Sequence, residues 1–121
     1  MTQSLEDYLE MVSFLSDEGE VRVTDIASRL HVSKPSVHSA MKTLEEQGLI
    51  EHERYSTVQL TGEGIQRAML IRERHHILSG FLTKILEVSS DNAEKDACKM
   101  EHLLSDETLS KMRAILETKQ L

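Results

Sequence analysis

The chain has 121 residues, a formal net charge of −7, one Pro, one Cys and no Trp. This length allows one compact domain or two small ones sharing a core, and a core short of aromatics must be built from Leu, Ile, Val, Met and Ala, which suits helices. One Cys excludes an intrachain disulfide and points to a reducing, cytoplasmic setting; no apolar run approaches the ~20 residues of a membrane span, and the acidic start lacks a signal-peptide core.

The charge is unevenly spread. Residues 1–20 hold six acids and no Lys or Arg, residues 21–75 hold eight Lys or Arg against seven acids, and residues 76–121 hold six against eight. A general nucleic-acid coat is excluded, and any DNA contact belongs in the near-neutral middle. No nucleophile elbow, Gly-rich phosphate loop or paired metal-hydrolase motif is present, so no enzyme is expected.

Residues 3–17 read as an amphipathic helix, capped by Ser4 with Asp7 at the reciprocal position, and with an apolar stripe of Leu5, Tyr8, Leu9, Val12 and Leu15. Asp7 and Glu10 stand at i, i+3 on another flank, either as a solvated acidic face or as paired ligands. The helix gives out around Asp17–Glu20. Thr24 is placed to cap a short helix over Asp25–Leu30, His31-Val32 makes a tight turn, and Ser33 caps a second helix running to Gln47. Pro35 lies in that helix's first turn, where a missing N–H costs nothing, and Gly48 is a stop signal. This is a helix-turn-helix pattern. Leu49–Glu53 and Val58–Thr61 then read as short strands, with Arg54-Tyr55-Ser56-Thr57 as a hairpin tip, so the whole resembles a winged helix.

Thr61-Gly62-Glu63-Gly64 opens a long helix expected to run to about Val88, too apolar in its second half for one buried stripe, as at a dimer interface. His75 and His76 are adjacent, about 100° apart on a helix, so one turns inward and the other outward. Ser89–Asn92 breaks that helix and caps the next, which carries Cys98, Glu101 and His102; a final helix restarts at Ser105-Asp106-Glu107.

Cys98, Glu101 and His102 fall at i, i+3 and i+4, on one helical face. They are either core residues with solvated neighbours or a thiol, carboxylate and imidazole set for a transition metal. Three such ligands suit tetrahedral zinc, whereas adding Asp7, Glu10 and His75 gives six donors suited to Mn(II) or Fe(II), even to two ions sharing Glu101.

Taken together, Asp7-Tyr8-x-Glu10, Ser33-x-Pro35-Ser36-Val37, the wing, Arg74-His75 and Asp96-Ala97-Cys98-Lys99-x-Glu101-His102-x-x-Ser105-Asp106 resemble the diphtheria toxin repressor/manganese transport regulator family along essentially the whole chain. The resemblance implies a mainly α fold: a winged helix-turn-helix DNA-binding domain over 1–63, with a small β-hairpin wing, then an α-helical metal-binding and dimerisation domain over 64–121. It implies a homodimeric, metal-activated repressor of metal homeostasis that binds a palindromic operator in double-stranded DNA. By position, Asp7, Cys98, Glu101 and His102 would form the principal metal site, and Glu10 and His75 would serve a neighbouring one.

The chain also departs from the family. Asp7 matches manganese-responsive members, whereas Cys98 stands where those members carry Glu, so the chain is a hybrid. The expected ion is Mn(II) or Fe(II), with Zn(II), Co(II) or Cd(II) binding in vitro. Ser79 stands where relatives often carry an acid one turn after His75, and with the sequence ending at Leu121 a two-domain form without the SH3-like domain of longer relatives is expected. The alternatives are a metal-independent winged-helix regulator, a zinc-responsive member of the family, and a zinc-stabilised scaffold.

Ser33, Lys34, Pro35, Ser36, His38 and Ser39 are the expected DNA contacts of the second helix, with hydroxyls and the helix N-terminus suited to phosphates and Pro35 and Ser36 to thymine methyls. Arg54 and Tyr55 would set the wing on the backbone. Replacing Arg54 by Ala should weaken binding to every sequence alike and lower the salt slope by about one. An unchanged slope in a salt titration would remove Arg54 from the contact set.

Overall fold

A computed structural model describes residues 2–53 and 57–119. Arg54 and Tyr55, the expected wing contacts, lie outside the described residues. The chain divides into two compact units, Met1–Met69 and Leu70–Leu121, and each is described by itself.

The first unit begins with α1 (Gln3–Glu18), whose N-cap is Thr2 rather than Ser4: the Thr2 hydroxyl accepts from Leu5 N at 3.2 Å. Of the expected stripe, Tyr8, Leu9, Val12 and Leu15 are buried and Leu5 is half-buried. A two-residue strand β1 (Val21–Arg22) leads into α2 (Val23–Leu30). Thr24 is therefore already inside α2, and Asp25 accepts from Arg22 N at 3.2 Å in place of a Thr24 cap. His31 takes the left-handed conformation (φ 57°) and turns the chain toward α3 (Lys34–Glu46). Ser33 caps α3 by accepting from Ser36 N, Pro35 sits in its first turn, and Gly48 (φ 77°) follows its end.

Strands β2 (Ile50–His52) and β3 (Thr57–Leu60) pair antiparallel, with Ile50 opposite Leu60 and His52 opposite Val58. β1 pairs with the other edge of β3, giving the order β1-β3-β2. Leu9, Val12, Val23, Ile26, Val37, Met41, Leu44, Ile50 and Val58 form the centre of this unit, each at most 1 or 2% exposed. Burying one such side chain contributes roughly 1.5–3 kcal/mol. β2 is also fastened to α3, because His52 N donates to Glu45 Oε2 (3.1 Å) and the His52 ring stacks on that of His38 with centroids 5.8 Å apart.

The next helix, α4 (Gly62–Gly80), starts where Thr61 Oγ1 accepts from Gly64 N. It does not continue as an α-helix to Val88. A π-helical turn over Phe81–Ile85 follows it, with Leu86 N donating to Phe81 O, and Glu87 then adopts φ 58°. Thr83 explains part of this, since its hydroxyl donates to the carbonyls of Ser79 (2.9 Å) and Gly80 (3.3 Å) and competes with backbone donors there. The second unit is completed by α5 (Ser90–Met100), capped by Ser89, and α6 (Asp106–Lys119), whose first turn is held by the Ser105 hydroxyl accepting from Thr108 N. Its core gathers Ile77, Leu78, Ala97 and Leu109, with Met100, Leu104 and Met112 packed against them. Leu70, Leu86, Leu103 and Ile115 remain exposed. Among the described residues, no helix is long and apolar enough to cross a membrane.

One glycine is fixed by close approach. A Cβ on Gly64 would overlap the carbonyl oxygen of Leu49, which already accepts from Thr61 N. Gly64→Ala should therefore destabilise the chain by about 1–3 kcal/mol, the usual range for forcing an extra carbon into a packed position. The urea midpoint should fall accordingly, and an unchanged midpoint would contradict the packing described.

Candidate metal centre

α4 and α5 bring four donors of three chemical kinds together: an imidazole, a thiol and two carboxylates. On α5, Glu94, Cys98 and the C-cap residue Glu101 fall at i, i+4 and i+7, so they share a face. The helix stops at Met100, so His102 stands in the following turn rather than on a continuing helix. On α4, His75 turns inward, with its side chain 18% exposed, while His76 faces solvent.

His75 is the hub. Its Nδ1 lies 2.8 Å from Glu101 Oε2 and its Nε2 lies 2.8 Å from Glu94 Oε1. An ionised carboxylate oxygen only accepts, so this pairing has both ring nitrogens donating and favours the imidazolium form. Cys98 Sγ stands 3.9 Å from the same Nδ1. The hydrogen bond to Glu101 raises the His75 pKa from 6.5 to about 9; burial opposes the rise, and the charges of Glu101 and Glu94 add to it.

Glu101 is the most enclosed member, at 1% exposure. Its second oxygen, Oε1, is buried 3.3 Å from His102 Nε2 but accepts no hydrogen bond among the described residues. A buried carboxylate oxygen without a donor is costly unless a positive charge faces it. The donor set around it is the one that divalent transition metals take: carboxylate oxygen, imidazole nitrogen and thiolate sulfur. The ligand atoms of His75, Glu94 and Cys98 all lie within 4.8 Å of one another, close enough to share one ion. These residues therefore fit a metal.

The structure thus gathers His75, Cys98, Glu101 and His102 in the second unit. Asp7 and Glu10 lie half-buried on α1 of the first unit, spaced i, i+3 as read from the sequence. Glu94 was not among the residues the sequence singled out, and its signal is the i, i+4 spacing to Cys98. In the first unit, Ser33, Lys34, Pro35, Ser36, His38 and Ser39 are all exposed at the start of α3, while Val37, Ala40, Met41 and Leu44 turn inward. The helix N-terminus, its hydroxyls and one Lys are left open on the outer face.

Two family profiles match. Residues 1–58 match the N-terminal DNA binding domain of iron dependent repressors, and residues 61–120 match the metal binding and dimerisation domain of the same repressors. An uncharacterised helix-turn-helix transcriptional regulator of Methanocaldococcus jannaschii is 34% identical over 119 residues, covering 97% of this chain and 95% of the relative. The transcriptional regulator MntR of Escherichia coli is 46% identical over 110 residues, covering 90% of this chain and 70% of the relative. A manganese-dependent transcriptional repressor solved with manganese superposes with a TM-score of 0.85 at 29% identity, over 93% of this chain and 52% of that one. The chain thus spans about half the length of that solved repressor.

Titrating His75 tests the geometry directly. Because its folded pKa is raised above the unfolded value, it stabilises the metal-free fold fully below about pH 6.5, and that contribution is lost as pH rises through about 9. NMR of the metal-free chain should show the His75 ring titrating near 9, and Glu101→Gln should move it back toward 6.5. A wild-type midpoint at or below 6.5 would contradict the two carboxylate contacts.

Proposed function

Because this chain belongs to the iron-dependent repressor family of transcriptional regulators, we propose that it is a metal-activated, DNA-binding repressor controlling metal-ion homeostasis in response to Mn(II) or Fe(II). In this reading it is a non-enzymatic cytoplasmic homodimer acting on a palindromic operator, with residues 1–63 reading DNA and residues 64–121 binding metal and dimerising. The buried, half-satisfied carboxylate of Glu101 carries the proposal, since it demands a cation that the described residues supply only in part. The exposed Leu70, Leu86, Leu103 and Ile115 support an interface in the second unit.

The proposed ligands are His75, Cys98, Glu101 and His102, joined by Glu94 and, through the family resemblance, by Asp7 and Glu10. A bound divalent ion would supply two positive charges among these carboxylates. His75 would give up its proton to become a ligand, so loading strengthens as pH rises toward 9. Asp7 and Glu10 lie on the element preceding α2 and α3, so neutralising them is the proposed link from metal to DNA reading. Such a link shifts an equilibrium only through a difference in affinity between the DNA-competent state and the other state. Fixed recognition helices would then meet successive major grooves, ~34 Å apart. Ser33, Lys34, Pro35, Ser36, His38 and Ser39 are the proposed contacts, with Arg54 and Tyr55 on the wing.

Cys98 favours a second reading, a zinc-responsive member of the same family. Its sulfur stands 3.9 Å from His75, and thiolate with imidazole suits Zn(II) better than Mn(II). One titration tests both readings. DNA binding by stripped protein, measured anaerobically so that Cys98 stays reduced, should rise with Mn(II) or Fe(II) in the first case and with Zn(II) in the second. Glu101→Gln should abolish the response. Affinity unchanged by all three ions would sink the metal-responsive reading altogether.

A further inference from the structure

Arg74 offers no ligand atom, yet it reaches the same residue as its neighbour His75. Its Nη1 donates to the backbone carbonyl of Glu101 at 3.2 Å, and its Nη2 donates to Asp106 Oδ1 at 2.6 Å. Glu101 caps the end of α5 and Asp106 opens α6. One guanidinium therefore spans both ends of the turn over 101–105, which carries Glu101 and His102. Consecutive residues on α4 point about 100° apart. His75 takes Glu101 by its carboxylate while Arg74 takes it by its backbone.

The chemistry of each end explains why an Arg stands here. The last carbonyls of a helix lack N–H partners, and the Arg74 fork supplies one to Glu101. Asp106 lies in the first turn of α6, where an acid is already favoured by the helix dipole. A planar guanidinium meets two acceptors in fixed directions, which a Lys ammonium on a flexible stem does not. The Arg74 side chain is 31% exposed and its bond to the Glu101 carbonyl is partly buried, whereas Asp106 is 91% exposed. The inner contact is therefore the sheltered one, and the outer is an open surface pair.

We propose that Arg74 is a positioning residue of the metal centre: it pins the turn over 101–105 so that Glu101 and His102 are presented as ligands. The inference rests on the metal-responsive reading above. It assigns to Arg74 a share of the metal affinity although it never touches the ion, as groups that orient ligands commonly do.

The test uses the full chain, stripped of metal and titrated with Co(II) and Mn(II) against a chromophoric chelator, with the Co(II) absorption spectrum recorded. Arg74→Ala should lower affinity for both ions by about 10–100-fold and shift the Co(II) spectrum. Arg74→Lys should fall between, since one ammonium satisfies one of the two partners. Asp106→Ala, which removes only the outer anchor, should lose less affinity and move the spectrum in the same direction. It decides the matter should Arg74→Ala fail to fold by circular dichroism. A folded Arg74→Ala, or in its place Asp106→Ala, that loses thermal stability but keeps wild-type affinity and spectrum overturns the inference alone. Wild-type protein that binds neither ion overturns the metal-responsive reading and this inference together.

Discussion

A carboxylate almost wholly removed from water organises the second unit. Glu101 is 1% exposed, and a charge so placed persists only with compensating partners. The fold provides them from α4, where two adjacent residues take the carboxylate and the carbonyl of Glu101. Apolar packing then closes around the same point. Met100 and Leu104 flank the Glu101-His102 pair in sequence, and both pack against the cluster of Ile77, Leu78, Ala97 and Leu109. The polar pair is thus set between two hydrophobic anchors, and its position is a property of the core rather than of a loose turn.

The same geometry explains why a proton and a metal ion compete for one place. In the metal-free arrangement the imidazolium of His75 answers both Glu94 and Glu101. The acidic cluster therefore meets a positive charge before any ion arrives, which spares the fold the full repulsion of its carboxylates. The donor set is mixed in hardness: Glu94 and Glu101 are hard, the imidazoles intermediate and Cys98 soft. Ligand identity alone therefore does not select one ion, and coordination geometry and supply must do so.

Much of this was legible in the sequence, for identifiable reasons. Ser33, Pro35 and Gly48 punctuate α3 through local backbone chemistry, and local chemistry is what a sequence displays. The buried stripe of α1 and the opposed facing of His75 and His76 follow from helical periodicity, but which of the two turns inward does not. Other features depend on what is adjacent in space. Thr2 displaced Ser4 as a cap, and Arg22 with Asp25 displaced Thr24, because several polar residues stood within reach of each helix start. β1 is two residues long and exists through its pairing with β3, so it has no period of its own. The π-helical turn interrupts a pattern that periodicity would have continued. Glu94 escaped notice because one acid on a charged helix is unremarkable until His75 is placed opposite it.

The first unit holds a consequence of a different kind. β2 is fastened to α3 twice, through Glu45 on the His52 amide and through the His38 and His52 rings. Two side-chain contacts therefore tie the start of the hairpin to the second helix of the helix-turn-helix. An element reading a groove and an element gripping the adjoining backbone would then keep a constant separation, like the jaws of a locked calliper. A duplex whose groove width departs from that setting would have to deform to fit, and sequences that deform at low cost would be preferred without any contact to their bases.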